Sequence, residues 1–592
     1  MGVAQSSAAK ALFLGEVEVG GVFPFPWIPE DEHETLALVV QSVKSFMTDY
    51  SSEFRDFDLR GAQPDEFILA LKELGLFGLI IPQESGGLGM SSVSYARALA
   101  EISKFDGSTA LTVGAHSSIG MKGLLLFGSP AQKTRYLPAL ATGEKIAAFC
   151  LTEPSSGSDA ASIRTKVTRS ENGGYILNGE KIWITNGAFA DFFTVFARHD
   201  EKEGGDGSEP KLSAFIVERE WGGVVSGSKE DKMGIRASAT TSVTFNNTQL
   251  PADALLGVEG EGFRIAMSIL NSGRTGLGGG CVGAMRRAIS NATKYASDRS
   301  QFGKKLIEFP IIRDKLADMT MRCFATESVV QVVGHAIDSG SSDYSVEAAI
   351  SKVYASESLW SVANEALQIA GGSGFMRDYP YEIIVRDSRI NLIFEGTNEI
   401  LRLYIALAGL RGVGDYLKEL ITGISRFASE PIRGFEILRE YAAKKIGSVL
   451  PAEERILVHI DPRLHQEGKV IVSFAARLGS AAERTVRKYR GSIVHEQLTL
   501  ARLADASIHL FVSLSVLSRI TALLQKKGSS SASETELLIR MARAFVQGAK
   551  RKVAASLRQL VRNEDDHKEV IARSVIERKG ELWDILDDSI KK

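Results

Sequence analysis

Four stretches of the chain carry residue types that could bind a flat ring system or move a proton. In Phe149-Cys150-Leu151-Thr152-Glu153-Pro154-Ser155-Ser156-Gly157-Ser158-Asp159 a β-prone run meets a turn of small hydroxylated residues. Hydroxyls and exposed backbone N–H groups in such a turn can bond the acceptors of a flat heterocycle, or a phosphate. Trp183-Ile184-Thr185-Asn186-Gly187 sets an aromatic and a hydroxyl on one face of a strand, one to cover a ring and one to bond it. Gln368-Ile369-Ala370-Gly371-Gly372-Ser373-Gly374-Phe375 stops a helical run at paired glycines, where backbone can approach a ligand closely. Phe394-Glu395-Gly396-Thr397-Asn398 follows an apolar run, Ile390, Leu392 and Ile393. Desolvation raises the pKa of a carboxylate placed there, as a general base working near neutral pH requires.

A fifth match carries no such chemistry. Gly278-Gly279-Gly280-Cys281-Val282-Gly283 fits the GxGxxG template of dinucleotide binding. That template needs a strand before it and a helix opening after it. Here the pattern is helical from Gly262 through Tyr295, so these small residues serve close helix packing.

The framework for the motifs comes from hydrophobic periodicity. Residues 1–29 hold Pro24, Pro26 and Pro29 with little periodicity and read as an extended lead segment. Residues 30–148 read as an N-terminal helical domain. From 149 to 262 short runs (175–177, 182–184, 192–196, 214–217, 243–245) are separated by Asn172-Gly173-Gly174, Asn178-Gly179 and Asn186-Gly187 turns. This spacing predicts a compact antiparallel β-barrel or sandwich and argues against a doubly wound nucleotide fold. Residues 263–412 read as a helical bundle, with Val346, Ile350, Val353, Trp360 and Leu367 on one face, ending near Gly409 to Gly414. Residues 413–592 read as an additional helical domain, striped by Leu503, Leu510, Leu514, Leu517 and Leu524 and by Leu538, Met541 and Phe545. The expected class is multidomain α+β.

Composition sets outer bounds. The 592 residues suffice for several domains, and 70 basic against 72 acidic residues leave a net charge of −2. No bulk basic field exists to attract nucleic acid. Cys150, Cys281 and Cys323 lie too far apart for a CxxC metal site, and such sparse usage suits a reducing compartment. No uninterrupted apolar run has the length of a membrane span, and no transit or signal pattern opens the chain. The expected location is therefore the cytoplasm of a bacterial cell, or the periphery of its inner membrane. Met1-Gly2-Val3-Ala4-Gln5-Ser6 fits the bare myristoylation template, and an unmodified start is expected.

Taken together and in this order, the four motifs resemble those of the acyl-CoA dehydrogenase family. The 150–162 stretch fits the family's first signature throughout. The second signature fits from Gln368 through Asp378 to Asp387, except that Ile383 stands where a Lys or Arg is usual, which puts one structural ion pair in doubt. The resemblance runs from Val22-Phe23-Pro24-Phe25-Pro26 to a variant GIVNEQ segment at 491–497, and it is nearest the family's very-long-chain branch. Most members would stop near residue 410.

The resemblance implies FAD as cofactor, oxidation of a long-chain fatty acyl-CoA to the trans-2-enoyl-CoA as the first step of β-oxidation, and an electron-transfer flavoprotein as acceptor. Glu395 matches the base that removes the α-proton while the β-hydrogen leaves as hydride to flavin N5. The thioester oxygen is polarised by the base's own N–H and a flavin ribose hydroxyl. FAD contacts carry over to Phe149, Cys150, Leu151, Thr152, Ser156, Gly157, Ser158, Trp183, Ile184 and Thr185. From the other subunit of a homodimer they carry over to Arg299, Gln301, Phe302, Gln368, Gly371, Gly372, Thr397 and Asn398. Ser158, Asn271, Arg274 and Gly396 match positions near the thioester and the CoA portion. Members with the base on the earlier helix would place it at Gly273, which cannot act. The tunnel floor is expected along 108–120, where Ala110 and Gly114 are small and share a helical face. Arg484, Arg487, Lys488 and Arg490 form a basic cluster that could meet anionic lipid, although a solvated helix face is the commoner use. An acyl-CoA oxidase using oxygen and a non-catalytic assembly scaffold are the alternative readings.

Overall fold

The computed structural model describes residues 7–199, 211–429, 452–526 and 531–580. The myristoylation template at 1–6 lies outside them. Helices α1 (His33–Asp49), α2 (Ser92–Ser103), α3 (Gly107–Gly114) and α4 (Pro130–Thr142) dominate the first part of the chain. Their starts are written in the sequence. Ser91 caps α2 and Asp106 caps α3, each through a side-chain oxygen that accepts from an orphan amide. Ser129 and Gln132 form a capping box on α4, with Pro130 at the first helical position.

The middle of the chain forms one open, mixed sheet. Its strands are β1 (Ala147–Cys150), β2 (Lys166–Arg169), β3 (Tyr175–Thr185), β4 (Phe192–His199), β5 (Leu212–Glu218), β6 (Val224–Ser226), β7 (Thr240–Leu250) and β8 (Leu255–Leu256). The order is β6-β7-β3-β2-β4-β5-β8, with β1 beside β4. The expected antiparallel barrel is therefore corrected in two respects. β1 and β2 take the same edge of β4 in succession, both parallel to it, at Ala147–Cys150 and then at Lys166 and Val167. Closure would need the end strands to pair, and β6 and β8 are only three and two residues long. The Asn172-Gly173-Gly174 and Asn186-Gly187 turns form, with Gly173 at φ +80° and Asn186 at φ +64°. Asn178-Gly179 makes no turn: 175–185 is a single strand with register shifts at 177/179 and 181/184. Gly179 is required there because a Cβ would sit 2.4 Å from Thr165 Oγ1.

The second half is helical: α5 (Gly262–Asp298), α6 (Pro310–Asp338), α7 (Ser345–Ala370), α8 (Tyr381–Arg389), α9 (Asn398–Ser429), α10 (His465–Tyr489), α11 (Gln497–Gln525), α12 (Ala532–Gln559) and α13 (Asp565–Glu577). α9 runs unbroken through Gly409, Gly412 and Gly414 to Ser429, so these glycines do not stop the helix. At Gly409 the Phe13 ring lies where a Cβ would be, 2.3 Å away, so this glycine is a docking notch rather than a stop. The lead segment is correspondingly not extended throughout. Ala8–Ala11 is helical, and Leu12, Phe13, Val22 and Phe25 are buried in one core with α9, α10 and α11. Short local periodicity could not reveal a burial that depends on helices hundreds of residues away.

Two helical stretches, 107–127 and 497–525, have the length and hydropathy of a membrane span, which the reading of uninterrupted runs missed. In the most apolar window 56% and 72% of each is buried within the protein, so both are core elements here. Leu503, Leu510, Leu514 and Leu517 are buried and Leu524 is partly buried, as the stripe predicts.

α5 crosses α2 at the glycines of the false dinucleotide motif. A Cβ at Gly279 would meet Ala96 O at 2.2 Å, and one at Gly283 would meet Ala100 O at 2.0 Å. Close backbone approach is what these glycines provide. Gly279→Ala should therefore destabilise the fold by about 1–3 kcal/mol through overpacking. Thermal unfolding checks this, and an unchanged melting temperature would remove the packing role.

Candidate active site

The loop between α8 and α9 carries Glu395. Its backbone is held in the left-handed region, φ +55°, followed by Gly396 at +94°. A non-glycine residue there stores strain that the surroundings must offset. Two buried cations do so. Arg274 of α5 donates to the Glu395 carbonyl at 3.3 Å, and its Nη1 is fixed by Asn271 Oδ1 at 2.5 Å. Lys352 of α7, fully buried, donates to Gly396 O at 2.7 Å and to Asn398 Oδ1 at 2.8 Å. The carboxyl itself projects into a cavity, and its buried Oε2 has no partner among the described residues. Burial pushes its pKa up to about 6, against the opposing pull of Arg274 and Lys352. Burial likewise pulls Lys352 down to about 8, with Glu395 resisting. The Glu395 N–H also lacks a backbone partner among the described residues. A poised carboxylate thus sits beside a free donor.

The cavity has a volume of about 500 Å3. It runs between α3, α5, the β1 exit loop and the 390–396 loop. The structure brings Phe149, Leu151, Thr152, Gly157, Ser158, Trp183, Ile184, Thr185, Asn271, Arg274, Glu395 and Gly396 to its walls. The hydroxyl loop is braced from beneath. Lys181 Nζ donates to Glu153 Oε1 at 2.8 Å and to Leu151 O at 3.1 Å, and Glu153 accepts from the amides of Arg164 and Thr165. Burial alone would raise the Glu153 pKa, but the Lys181 ammonium and these amides outweigh it and hold the carboxyl below its ordinary value.

Other expected site residues lie differently. Cys150 points to the opposite face of the sheet, fully buried, and burial pushes its thiol up to about 12. Ser156 donates its hydroxyl to Asp159 O. The Cys150 side chain is thus turned away from the cavity, and the Ser156 hydroxyl has already used its proton. Asn398 is buried among Lys352, Ser356 and Glu357, so its side chain is spent on holding the loop. Thr397 caps the start of α9 through Ile400 N. Arg299, Gln301, Phe302, Gln368, Gly371 and Gly372 are exposed and away from this cavity. A Tyr295–Ser373 hydrogen bond of 3.3 Å sets their two loops side by side. Phe302 is 95% exposed and Phe375 77%. Ile383, at the atypical position, packs partly buried in an apolar cluster.

The cavity's donor set suits a flat, acceptor-rich heterocycle. The Thr152, Ser158 and Thr185 hydroxyls make no hydrogen bond among the described residues. Trp183, held at φ +56°, remains 64% exposed at the wall. A Cβ at Gly157 would meet nothing within 4 Å, which leaves room for close approach. These residues fit FAD.

Sequence reasoning missed Lys352. Its signal was the lone cation of α7, set in a stretch from Val346 to Ser356 that is buried all round, which only a buried acceptor could justify.

Comparison with known proteins agrees with this geometry. Family models match at 31–144 (acyl-CoA dehydrogenase, N-terminal domain), 148–248 (middle domain) and 260–410 (C-terminal domain). Residues 462–581 match the ACAD9/ACADV C-terminal domain. The very long-chain specific acyl-CoA dehydrogenase of Homo sapiens is 42% identical over 541 residues, covering 90% of this chain and 81% of that one. A crystal structure of an acyl-CoA dehydrogenase complexed with FAD from Bacillus anthracis superposes with a TM-score of 0.77 at 31% identity, covering 97% and 95%. The butyryl-CoA dehydrogenase of Megasphaera elsdenii covers 63% of this chain and 97% of its own, with a TM-score of 0.60 at 37% identity. With its three core domains and its added C-terminal domain all matched, the chain belongs to the acyl-CoA dehydrogenase family.

Proposed function

We propose that this chain, with FAD bound, dehydrogenates long-chain fatty acyl-CoA between the α and β carbons to give the trans-2-enoyl-CoA. The observation that carries the reading is Glu395: a buried carboxylate with its pKa raised to about 6, facing a cavity lined by small and apolar side chains. Glu395 takes the α-proton. Its own N–H, free among the described residues, is placed to meet the thioester oxygen, where negative charge develops. Arg274 and Lys352 hold the loop through carbonyls and favour the ionised base. Phe149, Leu151, Thr152, Ser156, Gly157, Ser158 and Trp183 to Thr185 would hold the cofactor, with Cys150 contributing backbone only. FAD supplies the hydride acceptor.

The exposed loops at 299–302 and 371–376 support a homodimer in which each subunit completes the other's cofactor site. Large apolar side chains such as Phe302 and Phe375 are otherwise costly to leave in water. An electron-transfer flavoprotein is the acceptor this chemistry calls for. The exposed Arg484, Arg487, Lys488 and Arg490 offer a surface for peripheral contact with anionic lipid, although Arg487 is already paired with Glu483.

Glu395→Gln should keep its yellow flavin and lose about a thousandfold in turnover, since shape is conserved and the base is not. In the unaltered protein, kcat/KM should fall as pH drops through about 6, where the base takes up its proton. A pH-independent rate between 5 and 8 (about the range to scan) would place the base elsewhere. Lys352→Met removes a cation that favours the carboxylate, so the acid limb should move to higher pH; an unmoved limb would make Lys352 structural only. Chain length depends on α3. Ala110 and Gly114 both line the cavity, and a Cβ at Gly114 would meet only Leu99, at 4.0 Å. Each methylene gains roughly 0.8 kcal/mol only where such room exists. Ala110→Leu and Gly114→Leu should shorten the preferred acyl chain while sparing short ones, as a length series of anaerobic flavin bleaching would read.

A further inference from the structure

The cavity continues well past the base. Arg274, Leu277, Cys281, Ala284 and Arg287 share one face of α5 and all line it. From Arg274 to Arg287 that helix advances roughly 20 Å. α3 runs alongside: at its start Gly107 packs against Asp387, while beyond its end Ser118 and Ile119 pack against Gly273. One end of the tunnel therefore holds Glu395 and Arg274, and the other holds Arg287 and Asp387.

The far end is polar in a way an alkyl terminus cannot use. Arg287 makes one hydrogen bond among the described residues, from Nη1 to Phe105 O, which leaves Nε and Nη2 free. Asp387 accepts from Ile235 N at 2.5 Å through Oδ1, which leaves Oδ2 free beside Gly107. Ser103, a wall residue at the end of α2, has a hydroxyl with no partner among the described residues. Tying the α2–α3 turn and the Ile235 loop uses only Nη1 and Oδ1. Both side chains line the tunnel with their remaining donors and acceptor unused.

We propose that this cluster is a subsite for the ω-hydroxyl of an ω-hydroxyacyl-CoA, a substrate class accepted besides unsubstituted long chains. The assignment rests on the dehydrogenase reading above. A hydroxyl can accept from the Arg287 guanidinium and donate to Asp387 Oδ2, satisfying both at once. Burial pushes the Asp387 carboxyl up to about 7; above that pH an ω-carboxylate could accept from Arg287 but would stand against Asp387 and the nearby Asp106, the two charges that act most strongly on Arg287. A shorter unsubstituted chain leaves room for water to bridge the cluster, because the site is polar and supplies several partners.

The test uses the flavin-loaded enzyme and matched unsubstituted, ω-hydroxy and ω-carboxy acyl-CoA series of about 8 to 20 carbons, read as kcat/KM. Short ω-hydroxy chains should lose about tenfold against their unsubstituted partners, since the hydroxyl is stranded on apolar wall. That penalty should vanish or reverse at the one length that reaches Arg287, and Arg287→Met should restore it there, with turnover of unsubstituted chains reporting that the variant is folded. Above the pH of about 7 at which Asp387 ionises, ω-carboxy chains should be disfavoured at every length. A hydroxyl penalty that is constant with length, or an ω-carboxylate taken in preference to the hydroxyl, would overturn the subsite. Failure of every unsubstituted long chain to turn over would instead overturn the dehydrogenase reading.

Discussion

A carboxylate that must take a proton from carbon has to be buried, and a buried carboxylate has to be held. Glu395 meets this constraint through its backbone. Arg274 reaches its carbonyl from α5, and Lys352 reaches the next carbonyl from α7. Neither cation neutralises the carboxylate in a close ion pair, which would drop its pKa and spend the base. At backbone distance they keep the charged form accessible without pairing with it. The left-handed conformation at Glu395 follows from the same demand: the loop turns sharply so that side chain and free N–H serve one cavity.

Holding the base also ties the catalytic bundle to the added helices. Lys352 binds Asn398, Asn398 binds Glu357, Glu357 pairs with Arg402, and Arg402 pairs with Asp505 of α11. Burial presses the Asp505 carboxyl upward against the pull of Arg402, although 35% of that side chain remains exposed. A polar chain of this kind fixes geometry more than it adds stability, because each member costs desolvation. On the apolar side the same helices share one core with the N-terminal segment through Phe13 and Gly409.

The sequence carried the chemistry better than the topology. Glu395 was legible as a carboxylate in an apolar run and the hydroxyl loop as a turn of small hydroxylated residues, whereas Arg274 was reached only through the family resemblance. Lys352 was present in the same text but needed knowledge of its partners, which lie 44 and 46 positions away. The sheet was misread as a closed antiparallel barrel because turn residues report where a chain bends, not which edge it returns to. β1 and β2 each cross over to lie parallel to β4, a long-range choice that leaves no local mark. Asn178-Gly179 misled for the opposite reason: a residue pair that favours turns equally suits a bulge when Thr165 presses against the strand.

The tunnel shows how one run of small residues can answer two structural demands. Along α5, Gly279 and Gly283 face α2, where a single added carbon would strike backbone. Gly280 faces the cavity instead, where a Cβ would meet nothing nearer than Ser103 Oγ at 3.9 Å. Without side chains on the first face, α2 comes close enough to carry Leu99 and Ser103 to the cavity wall. Without them on the second, the space so enclosed stays open. Larger residues on the first face would push the wall away and loosen the tunnel, and larger residues on the second would fill it. A depth sufficient to separate Glu395 from Arg287 along one helix therefore depends on glycine at both faces, which is why a motif that resembles a nucleotide loop sits in the middle of a straight helix.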